Sequence, residues 1–188
     1  MTTATTSENS TSHGRQVLRR WPSAAGLVAA AAVLVLVRDR ETAAISVCVA
    51  ALCYLGAAAL DRRWVAWAGI AGGSLIVPIA LLLGLPWWLL VGIVAAALVV
   101  LGLFAGVPRR PLTAQAVAMT VYGVLAVIAL LVAPSAGLVL VGAVLACHAI
   151  WDVVHYRRNS VVHRSLAEFC MFFDVPLGGG LVVIGLLS

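Results

Sequence analysis

The chain reads as an all-α membrane protein: a polytopic helix bundle of seven transmembrane helices, N-terminus cytoplasmic and C-terminus outside. Three observations predict this. Apolar residues make up 63% of the 188 residues and charged residues only 10%, where soluble domains carry about 25% charged residues. The apolar residues fall in runs that match the roughly 17–25 residues needed to cross a bilayer. The arginines sit between those runs and favour one side, as cytoplasmic loops do.

Residues 1–20 are rich in Ser and Thr, lack apolar periodicity and end in Arg15, Arg19 and Arg20. They read as a disordered cytoplasmic tail. The apolar run that follows ends in Val37-Arg38-Asp39-Arg40, without a small-x-small cleavage site, which argues against a removable signal peptide. Residues 21–188 then form one transmembrane domain, with spans expected at 21–37, 43–60, 64–83, 87–106, 112–133, 138–156 and 166–187. Residues 64–106 contain no Asp, Glu, Lys or Arg. As one helix this run would be about 65 Å long at 1.5 Å per residue, twice the hydrocarbon thickness of about 30 Å. Gly84-Leu85-Pro86 breaks it in two, and Pro134-Ser135-Ala136-Gly137 reads as a similar turn.

Seven spans place ten arginines on the cytoplasmic side (15, 19, 20, 62, 63, 109, 110, 157, 158 and 164) and two, Arg38 and Arg40, outside beside Asp39 and Glu41. That bias supports the span count independently of hydropathy and predicts a multi-pass protein of the cell membrane. Trp21, Trp64, Trp87 and Trp88 fall at span ends, where interfacial anchors sit. Gly69-x-x-x-Gly73 and Gly102-x-x-x-Gly106 allow close helix packing within the bundle.

All 12 basic residues are Arg. Without lysine there is no Schiff base, which excludes a retinal protein. The net charge of +5 is accounted for by topology arginines and does not point to nucleic acid. Cys48, Cys53, Cys147 and Cys170 lack Cys-x-x-Cys spacing and read as small buried hydrophobes.

Chemistry concentrates near the C-terminus. His148, Asp152 and His155 lie inside one apolar run and Asp174 inside the next. A charge at membrane depth costs roughly 2.5–3.5 kcal/mol on insertion scales, so such groups have partners and mark function. At helical spacing the first three fall within an arc of about 60° on one face. Ser165-Leu-Ala-Glu168 has capping-box spacing and is expected to open the last helix. At 1.5 Å per residue, Asp174 then lies roughly 13 Å deep and His148 roughly 12 Å deep, so adjacent antiparallel helices bring them to one level. Two imidazoles and two carboxylates at one depth suit a divalent ion such as Zn or Fe, with His148, Asp152, His155 and Asp174 as ligands. Asp152 and Asp174 are also the expected catalytic acid–base pair. The alternative is a neutral hydrogen-bonded cluster that fixes the two helices. Trp151, Tyr156, Phe169, Phe172 and Phe173 provide an apolar wall. Thr113, Gln115, Thr120 and Tyr122 are expected to close a pocket, and Pro176 with Gly178-Gly179-Gly180 to bend the last helix. His163, in the loop, is expected to be solvated.

The stretch His148-Ala-Ile-Trp-Asp-Val-Val-His155, a short basic loop, Glu168-Phe-Cys170 and Asp174 resembles a segment of small bacterial integral-membrane proteins. The resemblance covers about 30 residues, assigns no activity and implies a bacterial inner-membrane location. The architecture also resembles seven-helix membrane zinc hydrolases of the alkaline ceramidase and adiponectin-receptor type, which hold zinc with His and Asp inside the bundle. This chain lacks their early Ser-x-x-x-His and final His-x-x-x-His. Membrane terpene cyclases offer a second likeness, through an intramembrane Asp beside aromatic walls.

The function these residues favour is a membrane-embedded enzyme, metal-dependent or relying on acid–base chemistry alone. Its substrate would be an apolar, lipid-like or isoprenoid-like molecule near the cytoplasmic leaflet. A non-catalytic membrane subunit or scaffold is the other class. Oligomeric state is not legible.

Overall fold

The computed structural model describes residues 20–188, so the tail and its Arg15 and Arg19 lie outside the described residues. The described residues form helices joined by short turns and contain no strand. The helices are α1 (Trp21–Leu36), α2 (Arg40–Ala59), α3 (Val65–Ser74), α4 (Ile76–Leu82), α5 (Trp87–Phe104), α6 (Arg109–Leu131), α7 (Pro134–Arg158) and α8 (Arg164–Leu187). Six are long and apolar enough to cross a membrane: α2, α3 and α4 taken together, α5, α6, α7 and α8. The apolar helix α1 has 16 residues, or about 24 Å at 1.5 Å per residue.

Local chemistry sets the boundaries. Asp39 caps α2 by accepting a hydrogen bond from the Thr42 N–H at 2.8 Å, which satisfies a donor free at every helix start. Pro78 has no N–H for the Ser74 carbonyl, and its ring crowds that turn. The helix accordingly breaks at Leu75, whose N–H turns to Gly72 O at 3.1 Å. At the next turn Gly84 has φ 65° and Leu85 N–H reaches back to Ala80 O at 2.9 Å, a Schellman ending that favours glycine. Gly106 ends α5 the same way, with φ 67°. It therefore serves a turn, and nothing lies where its side chain would be. Of the two glycine pairs, only Gly69, Gly73 and Gly102 are close-packing residues, against Cys53, Val49 and Ala59 of α2.

Two further expectations are corrected. Pro134 is the first residue of α7, so Pro134–Gly137 is a helical turn; proline's fixed φ suits that position. Trp87 is buried in the bundle, and its indole N–H donates to Glu41 Oε1 at 3.0 Å, so at this helix end it ties α5 to α2 and does not face outward.

Helix α2 is the central element: 13 of its 20 residues are buried, and α3, α5, α6 and α7 all pack on it. Small side chains (Ala, Gly, Cys) let them approach closely, which drives association where lipid offers no hydrophobic gain. Spans consecutive in the chain alternate in direction. Gly69 and Gly73 meet Cys53 and Val49, so α3 runs antiparallel to α2. Arg40 of α2 donates to Val132 O, just beyond the end of α6, at 2.7 Å. Gly142 meets Gly178, and Gly185 meets Ser135, so α7 and α8 are antiparallel. Ser23 hydrogen-bonds Glu168, Gly26 abuts Phe169 and Phe172, and Leu34 abuts Gly180, so α1 runs parallel to α8. The alternation gathers Arg20, Arg62, Arg63, Arg109, Arg110, Arg157, Arg158 and Arg164 at one end of the bundle and leaves Arg38 and Arg40 at the other.

Candidate functional site

The α7–α8 pair builds the centre. Gly142 and Gly178 put backbone against backbone: a Cβ on Gly178 would stand 2.5 Å from Gly142 O, and one on Gly142 would stand 2.6 Å from Gly178 O. One turn before Gly178 lies Asp174, and its Oδ2 is 2.8 Å from His148 Nδ1. The same nitrogen is 3.4 Å from Asp152 Oδ2, one turn along α7. The imidazole Nδ1 is thus hydrogen-bonded to Asp174 and lies within ion-pair distance of Asp152. All three residues are sealed, with Asp174 the most exposed at 1%, so no bulk water offsets their charge.

A fourth member comes from α2. The Tyr54 hydroxyl donates to Asp152 Oδ1 at 2.5 Å. The only sequence signal for it is its type, a lone phenol amid the Ala, Cys and Leu residues of the α2 run. Removing this donor strands a buried carboxylate oxygen, so Tyr54→Phe is expected to lower stability by about 1–3 kcal/mol. Thermal unfolding in neutral detergent measures this; an unchanged melting temperature would contradict the bond.

His155 is drawn away from the other three. Trp151 Nε1, which can only donate, binds Gln115 Oε1 at 3.0 Å. The Gln115 amide nitrogen therefore faces His155 Nε2, at 2.9 Å. That nitrogen accepts, which leaves the proton on Nδ1 to be donated to Trp151 O at 2.8 Å. His155 is a neutral imidazole with both nitrogens engaged, and its ring stands edge-on to Tyr54 at 4.9 Å between centroids. Among the described residues no side-chain hydrogen bond joins the His155 and Asp152 networks, which touch through this ring contact.

Of the remaining expected site residues, Tyr122 reaches the centre and the others lie elsewhere. Tyr122 of α6 lies edge-on to His148, 4.9 Å between ring centroids. Thr120 is exposed and bonds its own helix at Ala116 O, and Thr113 is exposed on the outer face of α6. His163 is exposed and precedes α8. The capping box does not form. The helix starts at Arg164, Ser165 accepts from Trp67 Nε1 at 3.2 Å, and Glu168 accepts from Ser23. Both side chains are taken by other helices. Helix α8 runs unbroken through Pro176.

Among the described residues, three buried polar atoms have no hydrogen-bond partner: His148 Nε2, Asp152 Oδ2 and Asp174 Oδ1. Native interiors leave few such atoms, and each calls for an explanation such as an ion or a catalytic role. His148, Asp152 and Asp174 each offer one donor atom within 4.8 Å of the others. Two donors at 2.1 Å from a shared ion are at most about 4.2 Å apart, so the set needs to contract by about half an ångström. The donor types, one nitrogen and two oxygens, fit Zn or Fe. A cavity of about 250 Å³ between α2, α3 and α8 reaches this centre, lined in part by Cys53, Ile70, Phe169, Cys170, Phe173 and Asp174. Comparison with protein-family models, with curated proteins and with solved structures finds no match.

Proposed function

We propose that the chain is a membrane-embedded enzyme that acts on a lipid-like or isoprenoid-like substrate, with His148, Asp152 and Asp174 as a divalent-metal and acid–base centre. The observation that carries this is the set of three unpartnered polar atoms on three sealed residues. A cluster that served only to join the helices is expected to satisfy its polar atoms, whereas each of these residues keeps one buried atom unpartnered among the described residues, which supports a bound ion or a reacting group. With both carboxylates ionised and the imidazole protonated, the group still carries one excess negative charge. A divalent cation and a neutral imidazole would balance it.

A bound divalent ion would supply an activated water at neutral pH. The chain's own residues hold and move the proton. Tyr54 fixes Asp152 through Oδ1, which leaves Oδ2 to hold the ion or, without one, to accept the proton. Asp174 orients His148 through Nδ1. The apolar cavity beside Asp174 admits a chain and excludes bulk water, which strengthens every charge interaction inside.

A metal-independent acid is the second reading, and one observation favours it: His148 Nδ1 lies 2.8 and 3.4 Å from the two carboxylates, as for one shared proton.

The topology belongs to the same proposal. We read α1 as a seventh span, with the arginine-rich end of the bundle in the cytoplasm of a bacterial inner membrane. The parallel run of α1 and α8 supports an odd number of crossings, and the arginine distribution supports the orientation. The centre then lies about 15 Å in from Arg164 at 1.5 Å per residue.

The enzyme reading is tested by lipid mass spectrometry on membranes holding wild type, Asp152→Asn or Asp174→Asn at matched levels. A lipid species converted only by wild type is expected. Profiles identical to those of membranes without the protein would contradict the reading.

A further inference from the structure

The arginine-rich end of the bundle holds a second cavity, about 490 Å³, between the ends of α2, α6 and α7. Arg62, Arg63, Arg110 and Arg158 line it, against one carboxylate, Asp61. None of these four guanidiniums forms an ion pair or donates a hydrogen bond among the described residues. The cavity floor is polar and buried: Gln115 and His155, held in one orientation by Trp151.

Arginines gathered only to set topology need no cavity and no common focus. Arg109 and Arg157 show the contrast: each is adjacent in sequence to a lining arginine, yet neither lines the cavity. The rim is also conformationally constrained. Asp61 and Val161 both line it and both have left-handed backbone, φ 49° and 68°. Val161 centres a γ-turn in which Val162 N–H bonds Ser160 O at 2.8 Å. A β-branched residue in that region is an outlier, and such strain clusters at binding sites.

We propose that this cavity binds a phosphate ester, the headgroup of an anionic lipid. Four guanidiniums against one carboxylate leave a formal excess of three positive charges, which suits a doubly charged phosphate better than a single carboxylate. Planar guanidinium forks match phosphate oxygens in paired hydrogen bonds. A headgroup bound here sits at the end of the bundle, with its chains in the adjoining bilayer. The subsite rests on the cavity and its charge alone, and stands even if the His148 centre proves structural.

The test uses the full chain in neutral detergent, with phosphatidic acid, phosphatidylcholine or inorganic diphosphate added separately. Native mass spectrometry reads bound lipid, and thermal unfolding reads stabilisation. Phosphatidic acid is expected to bind and raise the melting temperature, and phosphatidylcholine to do neither. Arg110→Gln and Arg158→Gln should each weaken binding about tenfold, the loss of one charge-assisted contact, while Arg157→Gln stays within about twofold of wild type. Diphosphate stabilising as well as the lipid would support the phosphate site and assign its ligand to a soluble source. Equal weakening by Arg157→Gln and Arg110→Gln would overturn the proposal, since that is attraction to a charged surface. Absence of binding to wild type by both anions would overturn it too.

Discussion

Asp174→Ala is expected to lower the unfolding free energy by about 3–5 kcal/mol, the cost of breaking a buried pair by removing one partner. The variant leaves His148 Nδ1 facing Asp152 alone and opens a gap one turn from Gly178. His148→Ala should be costly for the same reason, because it leaves two carboxylates facing each other. The pair is best measured together. A double-mutant cycle should give a coupling of about 1.5–3 kcal/mol, well above the roughly 0.6 kcal/mol average of intramembrane polar pairs. The excess follows from burial: His148 and Asp174 are 0% and 1% exposed, so neither is stabilised by water once the other is gone. A coupling near the average would reduce the cluster to ordinary helix glue.

Gly178→Val and Gly179→Val should differ sharply although the positions are consecutive. At Gly178 even a Cβ would stand 2.5 Å from the Gly142 carbonyl oxygen and 2.9 Å from the Ala146 nitrogen, both backbone atoms. The α7–α8 pair must separate, at about 3 kcal/mol, the upper end of overpacking costs. That separation also pulls Asp174 from His148. At Gly179 nothing lies within 4 Å of the added carbon. The helix gains slightly from losing a glycine, so stability should stay within about 0.5 kcal/mol of wild type. Equal effects at the two positions would mean that α7 and α8 are not in backbone contact.

Much of this arrangement was legible in the sequence because it is local. The apolar runs mark the helices, with ends displaced by a few residues where polar termini such as Arg40-Glu41-Thr42 and Tyr156-Arg157-Arg158 continue the helix beyond its apolar part. The rise per residue places His148 and Asp174 at one depth, and the short loop between α7 and α8 makes them neighbours; they hydrogen-bond at 2.8 Å. What depends on distant neighbours was not legible. Nothing in the chain order shows that α2 fills the centre, so Tyr54 is not read as the partner of Asp152. Nor does the shared face of His148, Asp152 and His155 show that α6 lies against its edge, where Gln115 takes His155. The capping-box spacing was misleading for the same reason: Ser165 and Glu168 each found a partner on another helix.

The structure also separates two regions that the sequence joins into one cluster. The sealed centre of His148, Asp152, Asp174 and Tyr54 lies in the middle of the bundle, and an apolar cavity reaches it. The His155–Gln115–Trp151 network faces the arginine-lined cavity at the end. The two cavities share no lining residue, so the sealed centre and the arginine-lined end stand or fall separately.

Metal content per chain, read by mass spectrometry of the purified protein and three variants, decides whether His148, Asp152 and Asp174 hold an ion. Wild type is expected to hold about one zinc or iron per chain, as one three-donor set allows. His148→Ala and Asp174→Asn should lose it, and His155→Ala should keep it, since both nitrogens of that ring are engaged by Gln115 and Trp151. Wild type without stoichiometric metal, or metal unaffected by Asp174→Asn, would contradict a metal centre at these residues.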